Sequence, residues 1–479
     1  MKCRLRWGAL VAILVAGFAM PGAAPVSGAP APPGPGCAPD RPAIAHRPGG
    51  PALNPQPPHA PIPCGVLTGF GGAEARIAVD RSGAVFFNPA VKDPGPTSCV
   101  GRCAEAGLAI STDQGATWSF SPSPTGSRVD NSLYADPDTN RVFWIPFSTA
   151  TPTLEVRRSD DDGKSWLSSS ACCGSAENPR VVTAVPRTSH PIGYSKMVYL
   201  CSNSSYFGGL ESAGGTRVCS KSVDGGATFT ILGPLFSKPV PQHTECLPNG
   251  EVFGAVDNHY PQAAPDGSLY VLVRCGGSAP AAGDLEYLAR SVDEGATWPI
   301  VHPVPQPATT ANDLDQLRVD TAGNLYLLRT DPTTFRPLLR TSTDGGASWG
   351  PEMDLAAPGV EVGHPAQELE SVFISPQLWE VAVREPGHLA VGYYARPQGQ
   401  ARWDAYLTET RNALDTQPLL WSARLNPDNV DLTDAMTDTI GNDFMGTTIA
   451  PDGTPWAGYY HSTGFAGRLV SASPPGRRG

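Results

Sequence analysis

The chain is short of charge: only 16% of its 479 residues are Asp, Glu, Lys or Arg. It has no sustained heptad or amphipathic helical pattern, which excludes a helical bundle. Beyond the first residues it has no basic run, which argues against nucleic acid or an anionic membrane surface as a partner. It has no cysteine after Cys275, and none of its 9 histidines completes a zinc spacing with the 11 cysteines. The one long apolar run, Trp7 to Met20, is too short to span a bilayer comfortably.

That run follows Lys2, Arg4 and Arg6 and precedes small residues, with cleavage expected near Ala24 or Ala29. Residues 1–29 therefore read as a secretory signal, and the mature protein as secreted, with no stable membrane anchor. Cys3 leaves with the signal, and ten cysteines remain. An even count in an exported chain fits disulfides. Cys201 ends one strand-like run and Cys219 lies in the next, so Cys201–Cys219 is the pair the order favours. The second half must then hold by packing alone. Removing three basic residues makes the net charge of −11 more negative still.

What the chain has in abundance is glycine, 52 residues, and proline, 51 residues. Residues 30–64 are dense in Pro, Gly and Ala, and read as an extended linker that packs no core. From residue 65 to 479 the text is strand-like and periodic. One phrase is written five times: Ser111-Thr-Asp113-Gln-Gly115-Ala-Thr117-Trp118, then from Ser159 to Trp166, Ser222 to Phe229, Ser291 to Trp298 and Ser342 to Trp349. Its chemistry is that of a turn. The Asp accepts backbone amides farther along, the Gly supplies positive φ, and the closing aromatic starts a strand and buries its ring. A second pattern, a turn followed by an apolar strand, begins at Asp80, Asp136, Pro265, Asp320 and Pro451. Together they give units of about four strands near 66–118, 129–166, 177–229, 257–298, 313–349, 368–410 and 443–472. The last two lack the phrase. The expected fold is all-β: a β-propeller of seven four-stranded blades, six being the alternative.

The phrase Ser-x-Asp-x-Gly-x-Thr-Trp resembles the Asp-box, or bacterial neuraminidase repeat, of the sialidase superfamily, and the resemblance covers about residues 66 to 472. It implies that Asp113, Asp161, Asp224, Asp293 and Asp344 are structural and sit at the blade periphery. It also implies an exo-α-sialidase-like catalytic set. Three arginines would clamp a carboxylate, a Glu would activate a Tyr nucleophile, and an Asp would act as acid/base. Arg76-Ile77-Ala78 partly matches the first arginine's phrase but lacks its proline. Arg274, Arg329 and Arg396 end strands and could complete the clamp. Asp93 lies where the acid would lie, with Asp80 competing. Glu368 and Glu370 are candidate partners for a Tyr of the pairs Tyr393-Tyr394 or Tyr459-Tyr460, which core packing explains equally well.

Asp130, Asp257, Asp313 and Asp443 each stand ten residues before the turn residue of their unit: Asn140, Gly267, Gly323 and Gly453. Equal offset implies an equivalent place at the entry to each innermost strand. These four, with Glu177 and Glu368 comparable, would form an axial carboxylate ring. It would bind a divalent cation such as calcium, hydrogen-bond sugar hydroxyls, or merely cap strand entries. Three readings follow. One is a propeller that binds, and hydrolyses through a carboxylate pair, a glycan or polysaccharide at its central mouth. The others are an exo-α-sialidase and a non-catalytic extracellular protein-binding scaffold. A monomer is expected.

Overall fold

The computed structural model describes residues 34–71, 73–90, 107–123, 131–146, 153–171, 176–204, 216–234, 252–254, 261–275, 285–305, 315–331, 333–363, 379–432, 445–459, 461 and 463–471. These residues form 31 strands and no helix. Two strands, β1 (Ile44–His46) and β2 (Ile62–Leu67), come first. Blade 1 follows as β3 (Ala73–Val79), β4 (Val85–Ala90), β5 (Gly107–Ser111) and β6 (Ser119–Pro122). Blade 2 is β7 (Ser132–Ala135), β8 (Val142–Ile145), β9 (Leu154–Ser159) and β10 (Leu167–Ala171). Blade 3 is β11 (Ala176–Ala184), β12 (Met197–Ser204), β13 (Thr216–Ser222) and β14 (Thr230–Pro234). In blade 4, β15 (Val252–Gly254) and β16 (Gln262–Ala263) both pair with β17 (Leu269–Cys275), beside β18 (Leu285–Ser291) and β19 (Ile300–Pro303). Blade 5 is β20 (Gln316–Val319), β21 (Leu325–Thr330), β22 (Pro337–Ser342) and β23 (Met353–Asp354). In blade 6, β24 (Val360–Val362) and β25 (Trp379–Val383) share β26 (Leu389–Pro397), followed by β27 (Asp404–Thr410) and β28 (Leu420–Arg424). Blade 7 is β29 (Gly446–Ile449), β30 (Pro455–Tyr459), β31 (Phe465–Val470) and, as its fourth strand, β2.

The innermost strands touch in cyclic order: β3, β7, β11, β16, β20, β25, β29 and back to β3. The fold is therefore a closed seven-bladed β-propeller. Among the described residues the apolar core is divided. Apolar clusters fill the seams between neighbouring blades, because each inner strand is buried on both faces. Phe86 packs toward blade 2 and Phe87 toward blade 7; Trp144 packs toward blade 1 and Phe143 toward blade 3. Where β29 meets β3 the backbones approach so closely that a Cβ on Gly446 would lie 2.5 Å from the Ile77 amide nitrogen.

The five repeated turns are built alike. In each, the Ser hydroxyl donates to the Asp at 2.8 Å. The Gly amide donates back to that Ser at 2.8–3.0 Å. The Thr or Ser four residues after the Asp gives it both its amide and its hydroxyl. The Gly has positive φ, and so does the residue before it: Gln114, Asp162, Gly225, Glu294 and Gly345. Two consecutive positive φ values are those of a type I′ hairpin turn. The aromatic then packs into the seam with the preceding blade, as Trp166 does against Phe86 and Trp144.

Blades 6 and 7 lack the phrase for different reasons. In blade 6 a longer loop keeps part of the chemistry: Thr410 donates to Asn412 at 3.0 Å, and Asn412 takes the Leu419 amide at 3.0 Å. In blade 7 the outer strand is β2, from the far end of the chain, so β31 has no hairpin to close.

The expectation that residues 30–64 pack no core is corrected over 34–64. β1 pairs with β28 as an added outer strand on blade 6, and Ala43, Ala45, His46 and Cys64 are buried. Edge hydrogen bonding, which proline limits at individual positions only, lets this composition join a sheet. Cys201–Cys219 is a disulfide, linking cross-strand neighbours in blade 3, and Cys37–Cys64 is a second. The second pair fastens a segment lying on blades 6 and 7, so the second half does not rest on its own packing alone.

Candidate functional site at the propeller axis

Antiparallel order puts the turns between first and second strands, and the repeated turns between third and fourth, at one end of the blades. The other two kinds of connection leave from the opposite end. Some of those connections are long: β4 ends at Ala90 and β5 begins at Gly107, and β28 ends at Arg424 and β29 begins at Gly446, whereas β3 and β4 are separated only by residues 80–84. Long variable connections on a rigid frame are where binding chemistry is placed.

At the axis, charged side chains from three blades meet. Arg76 of β3 places Nη1 3.4 Å from Glu380 Oε2 on β25, reaching past the inner strand of blade 7. The other Glu380 oxygen lies 3.6 Å from Arg318 Nη2 on β20. Arg318 also donates to Gln316 at 3.0 Å and, through Nε, to the Val381 carbonyl at 3.0 Å. Gln316 in turn accepts the Val381 amide at 3.3 Å, and Arg76 donates to the Met445 carbonyl at 3.4 Å. These contacts satisfy the axis-facing edge of inner strands that have no further strand to pair with. They also hold two guanidinium groups on one carboxylate. Arg180 of β11 is a third inner-strand arginine; like Arg76 it is buried, and it donates to the Pro179 carbonyl at 3.0 Å.

The arginines expected to join Arg76 lie elsewhere. Arg329 points into the seam between blades 4 and 5. There its Nε is 2.6 Å from Asp315 and its Nη2 is 2.5 Å from Glu286, all three residues being buried. Burial, reinforced by the charge of Glu286, raises the pKa of Asp315 well above the usual carboxylate range. Arg396 pairs with Glu361 at 2.8 Å and lies over the Trp403 ring. Arg274 is in β17, paired with Phe253 and Glu286; its side chain is outside the described residues. The structure thus does not bring Arg76, Arg329 and Arg396 together.

Asp93, Glu368, Glu370, Asp130, Asp257, Asp313 and Asp443 lie outside the described residues, as does the Glu177 side chain. Innermost strands begin at Ser132, Gln316 and Gly446, shortly after three of those aspartates in the sequence. Among the described residues no group of three His, Cys, Asp or Glu side chains is arranged to hold a metal ion. Tyr393 and Tyr394 fall on opposite faces of blade 6, in separate cores. The Tyr393 hydroxyl accepts the Ala357 amide at 2.9 Å and bonds Thr408, and Tyr459 donates to the Tyr406 carbonyl. Burial pushes the pKa of Tyr393 and Tyr459 up, away from what a tyrosinate nucleophile needs. Asp80 closes the first turn of blade 1 through Ser82 and the Ala84 amide.

Sequence reasoning missed Glu380, Arg318 and Gln316. The signal was the alternation Gln316-Leu-Arg318-Val and Trp379-Glu380-Val, polar at every second position of an innermost strand.

No protein-family model matches the chain, and no curated protein does. Among solved structures, the chain is similar to YCF48 bound to a D1 peptide, at 12% identity over 90% of this chain and 98% of that one, with a TM-score of 0.44. It is similar to a Penicillium chrysogenum α-L-arabinanase complexed with arabinobiose, at 12% identity over 75% and 97%, with a TM-score of 0.41. It is also similar to a Trypanosoma rangeli sialidase in complex with the inhibitor DANA, at 14% identity over 84% and 56%, with a TM-score of 0.36.

Proposed function

We propose that this protein is a secreted propeller of the sialidase superfamily type that binds a glycan at the mouth of its central axis. The observation that carries the reading is the Arg76–Glu380–Arg318 cluster, in which inner strands of three blades converge on one carboxylate. Guanidinium and carboxylate groups fixed side by side supply the donors and acceptors that sugar hydroxyls and carboxylates require. The five repeated turns support the superfamily assignment, and the oxidised cysteine pairs support export. Asp130, Asp257, Asp313 and Asp443, which lie outside the described residues, are the proposed sugar or divalent-cation ligands. A pair among them is the proposed hydrolytic machinery.

The test is a panel of neutral and acidic oligosaccharides, with a fluorogenic sialoside included, against the exported form. Binding or turnover that falls at least tenfold in Arg318→Ala, and that chelation weakens if the aspartates hold a cation, supports the reading. Sialoside turnover abolished by Arg76→Ala moves the assignment to an exo-α-sialidase. No binding across the panel leaves a protein-binding scaffold and sinks the proposal.

A further inference from the structure

The two blades that lack the repeated turn are the two whose outer edges carry the N-terminal segment. β1 pairs with β28 through Ile44, Ala45 and His46 opposite Ser422, Trp421 and Leu420. His46 Nε2 bonds the Ser422 hydroxyl at 2.7 Å, and Arg47 donates to the Gln417 carbonyl. The chain then reaches blade 5, where the Gly49 amide donates to the Asp354 carbonyl at 3.1 Å, on an outer strand only 2 residues long. It doubles back: Leu53 donates to the Ala45 carbonyl at 2.8 Å, and Gln56 bonds both the amide and the carbonyl of Ala45. It ends as β2, all six residues of which pair with β31. There Gly65 is pressed so close to blade 6 that a Cβ would lie 2.4 Å from the Leu425 carbonyl.

β2 is anchored twice, by its ladder and by the chain that runs on into blade 1. β1 has only a three-residue ladder, at the short end of strand lengths, against the six residues of β2. Its covalent anchor on the N-terminal side is Cys37–Cys64, which closes a loop of 27 positions around it. The bonds Ala38 N–H to Pro63 O and Gly65 N–H to Gly36 O flank that disulfide. Closing a loop of this length removes much of the freedom that docking would otherwise have to overcome.

We infer that residues 34–67 form a redox-dependent fastener: with Cys37–Cys64 formed, β1 grips blades 5 and 6; with both thiols free, β1 leaves and β2 stays. The switch is a thiol–disulfide exchange. The thiols of Cys37 and Cys64 lose two protons and two electrons, and an incoming protein or small-molecule disulfide is reduced to two thiols. Passage from a reducing to an oxidising compartment throws it. The fastener takes over, on blades 6 and 7, the rim-closing work that the repeated turns do on blades 1 to 5.

Hydrogen exchange tests this on the full chain, comparing the wild type with the Cys37→Ser/Cys64→Ser variant. The amides of Ala43, Ala45 and Leu53 should exchange roughly a few hundred-fold faster in the variant, while Gly163, Gly226 and Gly295 of the repeated turns hold their rates. Should the variant fail to fold, brief reduction of folded wild type gives the same comparison. Of the two disulfides among the described residues, Cys201–Cys219 is buried at both ends, whereas Cys37 is partly exposed, so Cys37–Cys64 is reduced first of the two. A change below about threefold at the three amides, on the scale that loop closure predicts, or equal acceleration across all blades, overturns the inference.

Discussion

Asp80 and Asp320 hold the same turn in blades 1 and 5, yet only Asp320 has both carboxylate oxygens bonded. Asp320 Oδ2 receives the Tyr326 hydroxyl at 2.8 Å and the Asn324 amide group at 2.7 Å. At the same offsets from Asp80 stand Phe86 and Ala84, and Asp80 Oδ2 is buried with no donor. Burial, with a smaller contribution from the charge of Asp162, raises the Asp80 pKa. The folded state therefore holds the proton more tightly than the unfolded chain. The stabilising effect of that proton is complete at acid pH. It fades as pH rises from the ordinary carboxylate value, about 4, through the raised folded value. Phe86→Tyr, which supplies the missing donor, should add about 1 kcal/mol near pH 7. Asp80→Asn should abolish the slope. Urea midpoints between pH 4 and 8 measure both.

The repeated turns should fail in the opposite direction. Hydrogen bonds from the Thr117, Ser165 and Ser348 side chains, followed by those residues' amides, lower the pKa of Asp113, Asp161 and Asp344 to about 2. A lowered folded value means that the bonds contribute above the unfolded pKa and are lost as pH falls from about 4 toward 2. Carboxylate chemical shifts followed through that interval should titrate with midpoints near 2. Midpoints near 4 would mean that the turns are not formed in solution. In the more enclosed copy, Asp224→Ala should cost about 1–2 kcal/mol by orphaning the Ala227 and Thr228 amides.

The rim of the fold was legible because its signals are local. Ser159, Asp161, Gly163 and Trp166 lie within eight residues, and backbone sterics at Gly163 admit few alternatives. The blade count followed from the spacing of such turns. The role of residues 30–64 was not legible, since β2 pairs with β31 some 400 residues away and no local pattern marks the partner. Arg329 shows the same limit in the site. A strand-end arginine looks available until Glu286, from the neighbouring blade, is seen to hold it. Arg76 was readable as a candidate clamp arginine, but Glu380 and Arg318 became its company only through ring closure.

Glu294 ties blade 4 to blade 3 and should be the most sensitive position on the rim. It accepts the amides of Arg187, Thr188 and Ser189 at 2.8–2.9 Å, the Ser189 hydroxyl at 2.5 Å, and Lys221 at 3.2 Å. Burial pushes its pKa up, but the Ser189 hydroxyl and the three amides outweigh that and hold it well below the usual range. Glu294→Gln keeps the shape and loses the charge, and should cost about 2 kcal/mol. Exchange should quicken in the 187–189 turn and leave blade 6 untouched. A uniform drop in stability without local exchange would argue against a clamp between two blades.

Arg329 separates a structural role from a ligand-binding one most cleanly. Removing it leaves Glu286 and Asp315 facing each other in a sealed seam. Breaking a buried ion cluster by deleting one partner costs about 3–5 kcal/mol. Arg329→Met should therefore lower stability by that order. The loss should grow as pH rises, because deprotonating Asp315 beside Glu286 now lacks the guanidinium that tempered it. The triple change Arg329→Met, Glu286→Gln, Asp315→Asn removes every charge and should recover much of the loss. The proposed glycan binding, measured at a temperature where each variant is folded, should match wild type. If Arg329→Met instead abolishes binding while its thermal midpoint stays unchanged, the arginine serves a ligand and the seam opens in solution.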